Sequence, residues 1–275
     1  MSNPASGSML PPELERHIFE LAAWNDRKAI SILCLVAARV HIWIGPLRYR
    51  VVLIRDVRVL EKVLQGLSAS PAVGEQIKFL AVNVPSYADV SRVLNYLPNV
   101  LDLGLWHGHS AASNLPQLAR LSSLRRLSVN LGELLEQWTV DGSALSGLAC
   151  LTHLETFGKV SPEMVAAIRA PPALTHLSFY AIYAQDIIKQ VLHVGGHQLR
   201  LVVVTHLDED QITLPDTEDT ISPAAAQRQI EDPRFAVVLC KDFVKDWVSG
   251  VWYGVDYWQR AEEIVAARAQ AVKGL

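Results

Sequence analysis

His107 and His109 stand two apart in the phrase WHGH, and His153 and His176 each hold the third place of two related phrases, LTHLET and LTHLSF. Imidazoles can ligate a transition metal, but zinc sites take three or four protein ligands and neither pair has a third. They read as surface or packing histidines, and no metal is expected. Asp208, Glu209 and Asp210, with Glu218 and Asp219, offer carboxylates to a hard cation in the stretch HLDEDQITLPDTEDTISP. Their spacing is not that of an EF-hand loop, so a solvated acidic loop is expected. Cys34, Cys150 and Cys240 are odd in number, far apart and form no C-x-x-C pair, which fits a reducing compartment. Cys34 falls in an apolar helix and reads as a core residue. The phosphate-binding GxxxxGK[ST], the dinucleotide G-x-G-x-x-G, H-E-x-x-H and G-x-S-x-G are all absent. Without a convergent nucleophile, base or metal set, neither a catalytic residue nor a cofactor is expected.

The composition narrows the partners. Half of the 275 residues are hydrophobic and 19% are charged, so the chain has ample material for a core. Its 25 basic and 28 acidic residues give a net charge of −3, without the basic excess of a nucleic-acid binder. The N-terminal MSNPASGSM lacks the pattern of a signal peptide. The longest apolar run, ISILCLVAARVHIWI, is broken by Arg39 and His41 and falls short of the roughly 18–20 residues of a membrane span. Neither nucleic acid nor membrane is an expected partner, and the cytoplasm or nucleus is the expected location.

The elements that must position these side chains come from a repeat. The form apolar-x-x-apolar-x-apolar recurs as IKFLAV from Ile77, VLDLGL from Val100, LRRLSV from Leu124, LTHLET from Leu151, LTHLSF from Leu174 and LRLVVV from Leu199. The intervals are 23, 24, 27, 23 and 25 residues, and the fourth copy has Thr156 in the last apolar place with Phe157 just beyond. Weaker copies flank the set, YRVVLI from Tyr49 and FAVVLC from Phe235. Each phrase suits a short strand. The intervals carry helical spacing: Leu60, Val63, Leu64 and Leu67 after an N-cap at Asp56; Val90, Val93, Leu94 and Leu97; SPEMVAAI with Ser161 as cap; QDIIKQVLHVGG stopping at Gly195. Strand and helix alternating at this period predict a leucine-rich-repeat-like αβ solenoid, short and irregular because the usual asparagine is missing. An ordinary α/β sheet is the alternative.

In that frame two positions per phrase face a concave surface: Phe79 and Ala81, Asp102 and Gly104, Arg126 and Ser128, His153 and Glu155, His176 and Ser178, Leu201 and Val203. Adjacent strands lie about 4.8 Å apart, which sets Asp102 beside Arg126 as an ion pair and His153 beside His176. Asp102, Arg126, His153, Glu155, His176 and Ser178 form a mixed, shallow surface suited to a protein partner. Leu201 and Val203 are too apolar for open solvent and predict a cover.

The N-terminal phrase LPPELERHIFELA places Leu14, Ile18, Leu21 and Ala22 on one helical stripe behind two prolines. Asp26 caps a second helix carrying Ile30, Leu33 and Val36, and a third runs from about Val40 to Ile44. The sequence Leu10-Pro11-x-Glu13-Leu14, then Ile18-Phe19, Leu35-Val36, Arg39, Trp43 and Pro46-Leu47 resembles the F-box over about Met9 to Ile54. The layout as a whole resembles fungal F-box-like proteins with irregular leucine-rich repeats. It departs from them at Ala37-Ala38, where the family often has cysteine beside a polar or basic residue, and at His41. The resemblance implies a three-helix module docking on the Skp-type adaptor of a cullin–RING ubiquitin ligase. Leu10, Pro11, Leu14, Ile18, Val36, Trp43 and Leu47 would form or support that surface; the alternative is that they only pack the helices.

The tail holds Trp247, Trp252 and Trp258. A helix is expected from an N-cap at Asp256, with Trp258, Ala261, Val265 and Val272 on one face, as a cap over the last repeats. The expected plan is α/β: a disordered 1–8, an F-box-like helical module over 9–54, the repeat solenoid over 55–241 and the cap over 242–275. The expected function is a non-enzymatic substrate-recognition adaptor of an SCF-type ligase, holding an unknown target protein. The alternative is a repeat-type interaction scaffold without a ligase role.

Overall fold

The computed structural model describes residues 10–84, 90–106, 114–135, 145–180, 185–194, 198–207, 212–213 and 220–273. Residues 1–9, His107, His109, Gly195, Asp208, Glu209, Asp210, Glu218 and Asp219 lie outside these, as does the side chain of Val272. The chain divides into two compact units at Val51–Val52. The expected boundary after Ile54 moves to the start of the first strand, and the tail belongs to the second unit.

The first unit holds α1 (Pro12–Trp24), α2 (Arg27–Leu33), α3 (Ala38–Ile44) and a 3-10 turn, Gly45–Tyr49. Pro12 opens α1 where a missing N–H costs nothing. The Asp26 carboxylate caps α2 by accepting from the amides of Lys28 and Ala29. Ala23, Ile30, Cys34, Val40 and Ile44 are buried. The Arg39 guanidinium forks onto Glu15 at 2.6 and 3.0 Å, fixing α3 against α1. Arg50 lies 4.0 Å over the Trp24 ring and donates to the Trp24 carbonyl at 2.8 Å, a cation–π contact that closes the unit.

The second unit runs β1 (Val51–Ile54), α4 (Val57–Ala69), α5 (Pro71–Gly74), β2 (Phe79–Asn83), α6 (Val90–Leu94), β3 (Asp102–Trp106), α7 (Leu115–Leu118), β4 (Arg126–Asn130), α8 (Leu131–Leu135), β5 (His153–Phe157), α9 (Met164–Arg169), β6 (His176–Tyr180) and α10 (Gln185–Val194). It continues through β7 (Leu201–His206), a two-residue-strand hairpin β8 (Ile212–Thr213) and β9 (Thr220–Ile221), α11 (Pro223–Gln229), β10 (Phe235–Leu239), α12 (Phe243–Tyr253) and α13 (Tyr257–Lys273). The sheet order is β1-β2-β3-β4-β5-β6-β7-β10, and the registers from β2 to β10 are parallel. All six phrases are neighbouring strands in chain order, and both weak copies supply strands. The second copy is displaced: Phe235 pairs with Val202, three places on from Leu199, because its large side chain is wholly buried in the main core.

One face of the sheet carries that core. Leu80, Val82, Leu103, Leu105, Leu127, Val129, Leu154, Leu177, Phe179, Val202 and Val204 pack there with residues of the intervening helices, such as Leu60, Leu118, Leu134 and Ile188. Thr156, the odd residue of the fourth phrase, is buried in the same row, and its hydroxyl accepts the Leu131 amide at 3.3 Å. Three helices differ from the sequence reading. α2 ends at Leu33, so Val36 lies exposed in the turn beyond it. α6 ends at Leu94, with Leu97 buried in the turn beyond it. α9 starts at Met164, because Ser161 and Pro162 form a preceding turn through their carbonyls.

The opposite face carries a second cluster. Leu201, Val203, Ala236, Val238 and Cys240 are buried against Tyr257, Trp258 and Ala261 of α13. The tail is thus the cover that Leu201 and Val203 required. It lies across the face of the sheet, and it includes a helix the sequence reading missed: α12, capped by Asp242 and ended by Gly254 at φ 73°. Trp258 is 6% exposed and edge-on to both His153 and His176. Trp258→Ala is expected to lower stability by about 3–5 kcal/mol through the cavity it leaves, seen as a lower denaturant midpoint at unchanged slope.

Candidate functional site

The residues expected to line an open concave surface form three rows across the sheet. The first runs Asp102, Arg126, His153, His176, Leu201, and the second Gly104, Ser128, Glu155, Ser178, Val203. The third was passed over by the sequence reading because it falls one residue beyond each phrase: Asn83, Trp106, Asn130, Phe157, Tyr180, Thr205. A recurrent polar or aromatic residue just after the phrase was the legible signal.

The first row meets the tail through polar contacts. Asp102 accepts the indole N–H of Trp247 at 3.0 Å. Arg126, its register neighbour, gives its guanidinium to Asp256 at 2.7 Å, so the cross-strand ion pair expected between Asp102 and Arg126 is replaced by a bridge to the start of α13. Asp256 also caps that helix, accepting the Gln259 amide at 3.0 Å with its other oxygen. His153 and His176 stack at 4.1 Å with planes 9° apart, and His176 Nε2 lies 2.9 Å from the Glu262 carboxylate. Asp246 ties the two tail helices together, accepting from Arg260 at 2.6 Å and from the Tyr257 amide at 2.7 Å. The expected open surface is therefore corrected: Asp102, His176 and Ser178 are buried, and Arg126, His153 and Glu155 are half-buried, because the tail's own donors and acceptors fill the face.

Burial reshapes the ionisation of this row. Desolvation raises Asp102 to about 6, against the pull of Arg126 and the Trp247 hydrogen bond. Desolvation raises Glu155 to about 7, opposed by Ser128 and reinforced by the charges of Asp102 and Asp246. His153 and His176 are held below the ordinary imidazole value, again by desolvation first.

Where α12 passes the third row, a cavity of about 300 Å³ is lined by Trp106, Ser128, Asn130, Glu133, Glu155, Phe157, Tyr180 and Phe243. Trp106 is fixed by its indole N–H on the Ser128 hydroxyl at 2.9 Å. It fits because the neighbouring row position is Gly104, where a Cβ would come within 2.8 Å of the indole. Asn130 donates to Glu133 at 2.9 Å, and its amide occupies space left by Gly158, whose φ of 82° also demands glycine. The Tyr180 hydroxyl is buried without a hydrogen-bond partner among the described residues.

In the first unit, Leu10, Pro11, Leu14, Ile18 and Val36 are exposed, and Trp43 and Leu47 are half-buried. The two outermost leucines and Ile18 keep about half of their surface, at 52% for Leu10, 53% for Leu14 and 51% for Ile18. Leu21 on the same stripe and Leu35 and Ile42 nearby are more exposed still. The buried residue of α1 is Ala23, one place beyond the predicted stripe. Among the described residues no helix is long and apolar enough to cross a membrane. Neither a protein-family model nor a curated protein matches the chain.

Glu155 gives a pH test of the covered face. Its carboxyl stays protonated in the fold up to about 7, whereas an ordinary glutamate ionises near 4.5. The unfolded chain therefore releases this proton first, and the contribution is present at low pH and lost as pH rises through that window. Relative to Glu155→Gln, the parent is expected to lose about 1–2 kcal/mol between pH 4.5 and 7, with screening of a half-buried group allowed for. Denaturant melts of both proteins across this range measure the difference, in which the opposite-signed contributions of His153 and His176 cancel.

Proposed function

We propose that the chain is a non-enzymatic substrate-recognition adaptor of an SCF-type ubiquitin ligase. In this reading residues 10–51 are an F-box-like module that docks on a Skp-type adaptor, and the following sheet is a leucine-rich-repeat-like solenoid. One observation carries it: an apolar stripe along α1 that the described residues of the first unit do not bury. Exposed leucines occur singly on any protein, but Leu14, Ile18 and Leu21 on one helix stripe, with Leu10 just before it and further apolar neighbours, mark an interaction face. Fully burying a side chain of this size yields about 1.5–3 kcal/mol, and covering the exposed half of each of Leu10, Leu14, Ile18 and Leu21 about half of that, which together suits a helix-in-groove contact. The Glu15–Arg39 fork holds α1 and α3 in place, so little ordering is needed on binding.

The tail changes where a target would bind. Asp102, Arg126, His153, Glu155, His176 and Ser178 lie beneath α12 and α13, so the partner role passes to the surface the tail itself presents, where Tyr253 and Val255 are exposed. The second reading is a repeat-type interaction scaffold without a ligase role, whose partner would meet the same tail surface. The experiment that separates them is co-purification with a Skp-type adaptor. Leu14→Asp and Ile18→Asp are each expected to abolish that co-purification while shifting the melting temperature by less than about 2 °C, since both side chains are already half in water. A chain that never captures the adaptor, or variants that melt many degrees lower, would support the scaffold.

A further inference from the structure

We propose that the cavity between α12 and the ends of β3 to β6 binds an alkylated ammonium group, held by the ring faces of Trp106, Tyr180 and Phe243 and by the carboxylates of Glu133 and Glu155. The ring geometry comes first. Phe243 stands edge-on to Trp106 at 4.8 Å and 88°, and to Tyr180 at 5.3 Å and 63°. Three rings inclined to one another around one space present faces in several directions, the arrangement that attracts a cation through the ring quadrupoles. Charge is the second argument. Among the described residues the lining contains two carboxylates and no lysine, arginine or histidine. An anion is disfavoured beside Glu133, and a bound cation would favour the ionised form of Glu155 facing it, whereas a neutral guest gains nothing from either acid.

Size and chemistry exclude the remaining cations. Hard metal ions need six or more oxygens, and half of this lining is aromatic. At about 300 Å³ the space is at the small end of ligand cavities, enough for a head group and too small for a nucleotide cofactor. An alkylated ammonium combines positive charge with apolar surface and matches both walls. The site is also held ready before any ligand arrives: Ser128 fixes the Trp106 ring, Gly104 makes room for it, and Asn130 orients Glu133. Nothing in this inference depends on the N-terminal module binding a partner.

The head group could belong to a free small amine or to a methylated lysine of a protein, and titration calorimetry on the full chain separates the two. One arm uses choline against its uncharged isostere 3,3-dimethylbutanol; the other uses a short peptide with trimethyllysine against the same peptide with a neutral norleucine there. Each cationic probe is expected to bind at least about tenfold more tightly than its neutral partner. The tighter of the two cationic probes identifies the source. Glu155→Gln and Tyr180→Leu are each expected to weaken the cationic probe about tenfold. Equal binding of cationic and neutral probes would overturn the proposal, as would no binding of either cation at about 10 mM. The comparison of probes on the unaltered protein stands whether or not the variants fold.

Discussion

The Arg126–Asp256 bridge and the Trp247 hydrogen bond to Asp102 are the contacts on which the second unit turns. A strand row of charged and imidazole side chains is stable in water or against matching partners, and it is costly in between. Once α13 seals the apolar end of the face, the middle strands must be covered as well, and their charges need partners. The tail supplies them one for one: Trp247 for Asp102, Asp256 for Arg126, Glu262 for His176. Asp256 serves twice, as helix cap and as counter-ion, so the start of α13 is fixed in register over β4. The depressed imidazoles and raised carboxylates follow from the same cover, since desolvation leads each shift.

The two faces of the sheet obey different rules as a result. Apart from Thr156, the helix side is apolar, as expected for a parallel sheet backed by helices. The tail side is graded. At β7 and β10 it is aliphatic and meets the aromatic start of α13; at β3 to β6 it is polar and meets hydrogen-bonding groups. The cavity lies in the third row, where α12 approaches through Phe243 and the row brings Trp106, Asn130, Phe157 and Tyr180 together. Rings and carboxylates share that space because neither wall is packed shut.

The first unit follows the opposite economy. Its few buried apolar residues, Ala23, Ile30, Cys34, Val40 and Ile44, are mostly small or β-branched, and Leu10, Leu14, Leu21 and Leu35 are exposed. Such a small helical unit cannot bury much surface alone. The Glu15–Arg39 fork and the Arg50–Trp24 contact supply directional ties in place of a large core.

The sequence by itself determined the strands of the main sheet, their sequential order and which residues share the first two rows, because a period near 24 residues and alternation within each phrase are local regularities. It also determined the N-caps at Asp26, Asp56 and Asp256, each set by a carboxylate within three residues of the amide it accepts. The pairing of His153 with His176 followed from register alone. What only the tertiary structure decided was the fate of those rows. Whether Asp102 faces water or Trp247, and whether Arg126 pairs with its strand neighbour or with Asp256, depends on contacts 145 and 130 residues apart, and local periodicity carries no information at that range. The third row escaped for a different reason: its residues, Trp106, Phe157 and Tyr180 among them, share no single chemical type, and they become one site only when Phe243 closes over them. The stripe of α1 was legible as amphipathic. That it stays exposed was not, because amphipathicity states that a face needs a partner and leaves open where the partner is.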